Sequence, residues 1–404
     1  MDTLRTSYIT DSFQAQDGAP QVRDRSSRTS PSPVRKVALM IGQLGTGGAE
    51  KQVVLLARGL RDRGIDTSVW VLFGNTETYY GNLLRRYGIQ LVDMGMYGRK
   101  LHRVLPNLAK LGTLAVRLHR ERPDILHAFL FEAYVAGAAI ARTARIPVFV
   151  AGRRSLGNFK EGRPVALAAE RLATRFTDLI IANAEAVAQD TKRRERVGDD
   201  KVEVVYNGLP EEAFAAVSPT VVETIKPVVL CVANLKHYKG HRYLLEAMNR
   251  LRQDGCPCTL LLAGEGRERQ PLEEQAAGLH IDVRFLGERH DVRALLARAD
   301  VVVHPSLEEG MSNAVMEAMA AGRPIVATRV GGTPELLVGR GLLVPPADPV
   351  ELASAISQVL ADRVLAARLS EAARIWSHEN LSADAMVNRH IQIYSGLLER
   401  RCAA

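Results

Sequence analysis

No run of about 18 apolar residues occurs in the 404-residue chain, and its N-terminus lacks a charged start followed by an apolar core. A transmembrane helix and a secretory signal are therefore not expected. The expected location is cytoplasmic, peripheral at the inner face of the membrane if the basic surface noted below meets lipid. Cysteine is scarce: Cys256 and Cys258 form a C-x-C, while Cys231 and Cys402 stand alone. Without a C-x-x-C pair, reduced structural thiols are expected and no metal site is assigned. Aromatics are 5% of the chain and no nucleic-acid-binding motif is visible, so no nucleic-acid partner is expected. Glycine-rich nucleotide signatures are incomplete. The loop from Gly42 to Glu50 is followed by no Gly-Lys-Ser/Thr, which excludes a P-loop, and Ala49 and Glu50 stand where the last glycine of G-x-G-x-x-G belongs.

What is present is a globular composition, 47% hydrophobic and 24% charged, long enough for two domains of ordinary size. The net charge of +8 sits in the first half, where residues 1–218 carry 32 Lys and Arg against 23 Asp and Glu. Such a half suits an anionic membrane surface or an anionic acceptor.

Residues 1–33, rich in Ser, Arg, Asp, Gln and Pro, read as a disordered leader. Strand and helix patterns then alternate: Lys36–Ile41, a helix to about Arg63, Thr67–Phe73, Tyr80–Tyr87, Gln90–Asp93 and Leu105–Arg120. The alternation predicts a doubly wound parallel sheet. In the last of these helices Leu108, Leu111, Leu114 and Leu118 share one face, with Arg103, Lys110 and Arg117 on another. That is a core stripe with a solvated basic face or, more sharply, a helix lying on anionic headgroups. Arg153-Arg154-Ser155 follows the strand Val148–Val150, where a ligand loop belongs. Two adjacent arginines there can hold an acceptor or phosphate group, solvent exposure being the alternative. Domains are expected at 34–210 and 227–380, joined by a crossover at 211–226 that carries Pro219, with a terminal helix in 381–404.

The most informative stretch is His304–Gly332. It reads as strand, acidic loop, helix, strand and loop, with Ser312 as N-cap, a helix to about Ala321, and Gly322 after its end. Glu309 hangs over the helix mouth and Glu317 projects from its side. Between them Gly310, Met311 and Ser312 offer backbone N–H groups at the positive end of the helix dipole, a site for phosphate. A sugar nucleotide reconciles carboxylates with an anion site: its diphosphate takes the N–H groups and its hydroxyls take the carboxylates.

Glu309-Gly310, Glu317-Ala318-Met319-Ala320, Gly322–Ala327 and Gly331-Gly332-Thr333-Pro334-Glu335 occur in unbroken order. This order resembles the E-x7-E donor-site signature of the family 4 glycosyltransferases, retaining enzymes of GT-B architecture with two Rossmann-like domains facing across a cleft. The opening Gly47-Gly48-Ala49-Glu50 is similar to the family's loop that reaches toward the donor phosphates. Pro123–Phe129 resembles its P-D-x-x-H-x-H segment, with His127 matching the first histidine and Phe129 replacing the second. Asn234–Gly240 resembles G-R-L-x-x-x-K-G, with Lys239 and Gly240 in place and Asn234 where the family has arginine.

The resemblance covers about residues 35–400, and what it implies is specific. The donor is a nucleoside-diphosphate sugar and the acceptor a glycan or lipid-linked hydroxyl, in cell-surface polysaccharide or glycolipid synthesis. Glu309, Lys239 and His127 are the catalytic candidates. Gly47, Gly48, Asn234, Lys239, Gly310, Met311, Ser312 and Glu317 are the donor-binding candidates, and the terminal helix packs back on the first domain. No cofactor or metal is implied, since the D-x-D of the other major glycosyltransferase fold is missing. Two alternatives stay open at this point: a non-catalytic sugar-nucleotide sensor or chaperone on the same fold, and a nucleotide-cofactor oxidoreductase.

Overall fold

The structure is a computed structural model that describes residues 34–45, 47–74, 76–96 and 104–403. The expected leader 1–33 and Arg103 lie outside the described residues. Two separate parallel sheets hold the strands. The first contains β1 (Lys36–Ile41), β2 (Asp66–Phe73), β3 (Gln90–Met96), β4 (Ile125–Phe129), β5 (Val148–Arg153), β6 (Leu179–Ala182) and β7 (Val202–Val204), in the order β3-β2-β1-β4-β5-β6-β7. The second contains β8 (Val228–Val232), β9 (Thr259–Ala263), β10 (Val283–Gly287), β11 (Val301–His304), β12 (Ile325–Thr328) and β13 (Leu342–Val344), in the order β10-β9-β8-β11-β12-β13. The expected pair of doubly wound Rossmann-like sheets is therefore present.

Their central strands are nearly continuous runs of Val, Ile and Leu because helices cover both faces. On one face of the first sheet, helix Gly48–Asp62 packs with the terminal helix Ala383–Ala403. Met386, Val387, Ile393 and Tyr394 share a core there with Val37, Leu39 and Ile41. On the other face lie helices Val104–Glu121, Phe131–Ala141 and Pro164–Arg175. Leu114 and Leu118 are fully buried, Lys110 donates to the Gly95 carbonyl and Arg117 is exposed. Leu111 is partly buried against the same core, the side chain of Leu108 lies outside the description, and Arg117 is at the surface.

Phe131–Ala141 has no polar face (FEAYVAGAAIA), so periodicity does not reveal it. Between β4 and helix Phe131–Ala141, Leu130 adopts φ 69°, ψ 163°, a backbone region that is essentially glycine's.

Strand order reverses between β1 and β4 in the first sheet and between β8 and β11 in the second. Ligands of open α/β sheets bind beyond the strand ends at such points. Here those ends carry the Gly42–Glu50 loop on one side, and the Asn234–Gly240 and Pro305–Ser312 loops on the other.

Candidate active site

Leaving β11, the chain passes directly over Gly240. With φ 70° and the Pro305 carbonyl oxygen where a Cβ would stand, only glycine fits that position. The crossing brings Lys239 to Glu309. Three donors converge on one carboxylate oxygen, Glu309 Oε1: Lys239 Nζ, His304 Nε2 at 2.7 Å and Ser306 Oγ at 2.8 Å. No described residue donates to Oε2, which leaves that oxygen to a ligand. Burial pushes the Glu309 carboxyl up, but His304 and then Lys239 outweigh it and hold its pKa at about 2. Glu309 is thus an ionised hydrogen-bond acceptor, not a proton donor, near neutral pH.

The helix that follows runs from Asn313 to Ala320, with Ser312 as its N-cap accepting from Val315 N–H at 3.4 Å. Gly322 follows its end with φ 61°. Met311 and Ser312 are buried at the helix mouth. Gly310 is a second position closed to any side chain, because a Cβ would collide with the Arg154 carbonyl of the opposite domain.

Asn313 is the hub of the seam between the domains. Its amide donates to the Gly48 carbonyl at 3.2 Å and accepts from Asn207 at 3.0 Å and Gln52 at 3.3 Å. Gln52 also pairs with both backbone groups of Gly208, at 2.8 and 2.9 Å. Glu317 is ion-paired with Lys51 of the first helix, one turn after the Gly47-Gly48 opening. At the far end of the seam Glu335 accepts from the N–H groups of Glu185 and Ala186, at 2.8 and 2.9 Å. It caps a helix of the other domain whose own N-cap, Ala184, has no side chain able to do so. Sequence reasoning missed Lys51, Gln52, Asn207, His304 and Asn313. Their partners lie mostly in the other domain, and local spacing carries no signal of that.

The remaining candidates do not join this cluster. Asn234 is exposed on the loop after β8. His127 is fully enclosed rather than facing the cleft: Nδ1 meets the Tyr394 hydroxyl at 2.7 Å and its ring stacks on Phe129. Burial, then His390 and Arg154, lower its pKa, which keeps the ring neutral. Arg153 is interior too, held bidentate by Glu195 at 2.8 Å and seated over the Tyr134 ring. That pairing takes up its charge, so both the expected exposure and a phosphate role give way to a buried ion pair. Arg154 donates to Asn207 Oδ1 at 2.8 Å, while its Nε and second Nη are buried without partners. Among the described residues no cluster of three or more His, Cys, Asp or Glu is arranged to hold a metal ion, and no helix is long and apolar enough to cross a membrane.

A family model described as Glycosyltransferase Family 4 matches residues 46–213, and one described as Glycosyl transferases group 1 matches residues 226–362. An uncharacterized glycosyltransferase of Methanocaldococcus jannaschii is 27% identical over 301 residues, 69% of this chain and 77% of that protein. The lipopolysaccharide core biosynthesis glycosyltransferase LpsE of Rhizobium meliloti is 33% identical over 234 residues, 54% of this chain. That match spans 64% of LpsE, just under two thirds of its length. Among solved structures, Anabaena HepE in complex with UDP and glucose is similar with a TM-score of 0.76 at 25% identity, over 89% of this chain and 99% of that one. With a glycosyltransferase model on each side of the crossover and the paired Rossmann-like sheets between which its loops meet, the chain belongs to the family 4 glycosyltransferases of GT-B architecture.

Proposed function

We propose that this glycosyltransferase is a retaining, metal-independent enzyme that moves a sugar from a nucleoside diphosphate to a hydroxyl of a glycan or lipid-linked acceptor. Cell-surface polysaccharide or glycolipid synthesis is the setting that fits, given the likeness to LpsE, whose name places it in lipopolysaccharide core biosynthesis, and to HepE, which binds UDP and glucose. The observation that carries the reading is the Glu309 site, a buried carboxylate kept ionised with one oxygen saturated and the other open.

In this reading the diphosphate lies at the mouth of helix Asn313–Ala320, where Lys239 and the N–H groups of Gly310–Ser312 take its negative charge. Glu309 Oε2 orients the sugar by accepting from its hydroxyls, and Glu317 exchanges Lys51 for the ribose hydroxyls. The bond between the anomeric carbon and the phosphate oxygen breaks as the acceptor oxygen attacks from the same face. The acceptor proton passes to the leaving diphosphate, since Glu309 does not take it at a pKa of about 2. The Gly47-Gly48 loop covers the donor and excludes water.

Thermal-shift screening of sugar nucleotides identifies the donor, because a ligand that binds only the folded state raises its stability with affinity. Transfer is then followed with Glu309→Ala and Lys239→Ala, both expected to lose most of the activity. Unchanged rates in both variants overturn the assignment, and activity lost in EDTA and restored by Mg²⁺ overturns metal independence.

A further inference from the structure

A line of hydrogen bonds crosses the seam between the domains, and its direction is forced from one end. A guanidinium has donors only, so the oxygen of the Asn207 amide must face Arg154, which donates to it at 2.8 Å. The Asn207 amino group then points the other way and donates to Asn313 Oδ1 at 3.0 Å. That in turn aims the Asn313 amino group at the Gly48 carbonyl, 3.2 Å away. Gln52 reaches the same result independently. Gly208 N–H donates to its Oε1 at 2.8 Å, so its Nε2 is the end that meets the Gly208 carbonyl and Asn313 Oδ1. Asn313 is thereby left one orientation.

The position of Asn313 gives that orientation a use. It is the first residue of helix Asn313–Ala320, while Gly48 is the first residue of helix Gly48–Asp62 in the other domain. Both helices turn the positive ends of their dipoles toward this contact, so a bridge is needed to hold them together. A Cβ at Gly48 would stand 2.9 Å from Asn313 Nδ2, and the bare glycine is what admits the bridge. Asn207 and Gln52 are almost fully buried, so a bond lost from this line is not replaced by water at no cost.

We infer that Asn313 is a positioning residue that holds the Gly47-Gly48 loop against the mouth of helix Asn313–Ala320, and that Arg154, acting through Asn207, sets its orientation. What the clamp serves, covering the donor, rests on the function proposed above; the clamp itself does not. Without Arg154 the Asn207 amide is free to turn over and set its oxygen against Asn313 Oδ1, acceptor facing acceptor. The buried guanidinium thus keeps the bridge in order from a distance, without touching the loop.

The test is amide hydrogen exchange, followed by mass spectrometry, on the full chain as wild type, Asn313→Ala, Arg154→Met and the double variant. In Asn313→Ala, residues 47–55 are expected to exchange at least about tenfold faster, with helix Pro349–Ala361 of the second domain unchanged. Arg154→Met is expected to speed the same segment at least about threefold, and the double variant to match Asn313→Ala, because both substitutions act on one line. For whichever of UDP-glucose, GDP-mannose and ADP-glucose the wild type consumes, Asn313→Ala is expected to lower kcat about tenfold or more with donor KM within about twofold. Unchanged exchange at residues 47–55 in Asn313→Ala overturns the clamp, as does faster exchange spread evenly over both domains. Additive effects in the double variant overturn the line through Asn207, and an unchanged kcat beside faster exchange overturns the positioning role. A wild type that neither binds nor consumes any sugar nucleotide defeats the donor reading itself, a separate result, since exchange at residues 47–55 still decides the clamp.

Discussion

Glu309 and Arg154 sit on opposite sides of the cleft, and the protein treats their buried charges in opposite ways. Around Glu309 the donors come from Lys239, His304 and Ser306 of the same domain, so its ionisation is fixed before any ligand arrives. Arg154 lies over the Phe129 ring beside His127, His390 and Tyr394, with one hydrogen bond to a neutral amide. Burial lowers its pKa to about 10, with Tyr394 opposing. Arg153, one residue earlier, shows that the chain can balance such a charge, since strand alternation sends it to the other face of the sheet and into Glu195. Satisfied charge holds the Glu309 carboxylate and one flank of the first sheet, whereas Arg154, in the pocket under the terminal helix, keeps two buried N–H-bearing nitrogens without hydrogen-bond partners.

The contrast can be broken most forcefully at Glu309. Glu309→Ala is expected to lower kcat for transfer by about 100-fold or more, measured at saturating donor. A wild-type kcat would make the balanced site a structural ornament. Next in size is Arg153→Met, which leaves Glu195 buried without its partner and is expected to cost about 3–5 kcal/mol in urea unfolding. Arg154→Met removes an uncompensated charge and should stay within about 1 kcal/mol of wild type. Equal losses in the two variants would erase the distinction between neighbouring arginines.

The pH dependence of stability sharpens it further. A carboxyl whose folded pKa is depressed contributes stability that is complete above its unfolded pKa, near 4.5, and is lost as pH falls toward 2. For Glu309 this amounts to roughly 3 kcal/mol, visible as a steeper loss of unfolding free energy between pH 4.5 and 2 in wild type than in Glu309→Gln. The smallest effect is expected at the partly exposed Lys51–Glu317 pair. Lys51→Met should change stability by less than about 1 kcal/mol, checked in the same denaturation experiment.

Much of the fold was legible because its signals are local. Buried β-branched runs announce the strands, Ser312 and Gly322 bracket the central helix, and the two glutamates lie eight residues apart on either side of its start. Helix Phe131–Ala141 escaped because a helix apolar on every side has no period to read. The site was legible only in part, for a related reason. Asn313 is bound by residues more than a hundred positions away, and His304 reads as a strand end until the chain's turn over Gly240 brings Lys239 beside its partner. At Arg153 and Arg154 the residue types were clear, but burial under helices from distant parts of the chain decided what they do.

The terminal helix has a consequence for how the protein is made. Met386, Val387, Ile393 and Tyr394 complete a core whose other walls, β1 and the helix after it, are synthesised first. During translation that apolar face waits while the whole second sheet emerges, so the domain begun first is closed last. Ribosome-bound chains halted before Ala383 would therefore present that face to chaperones even with the second sheet already in place.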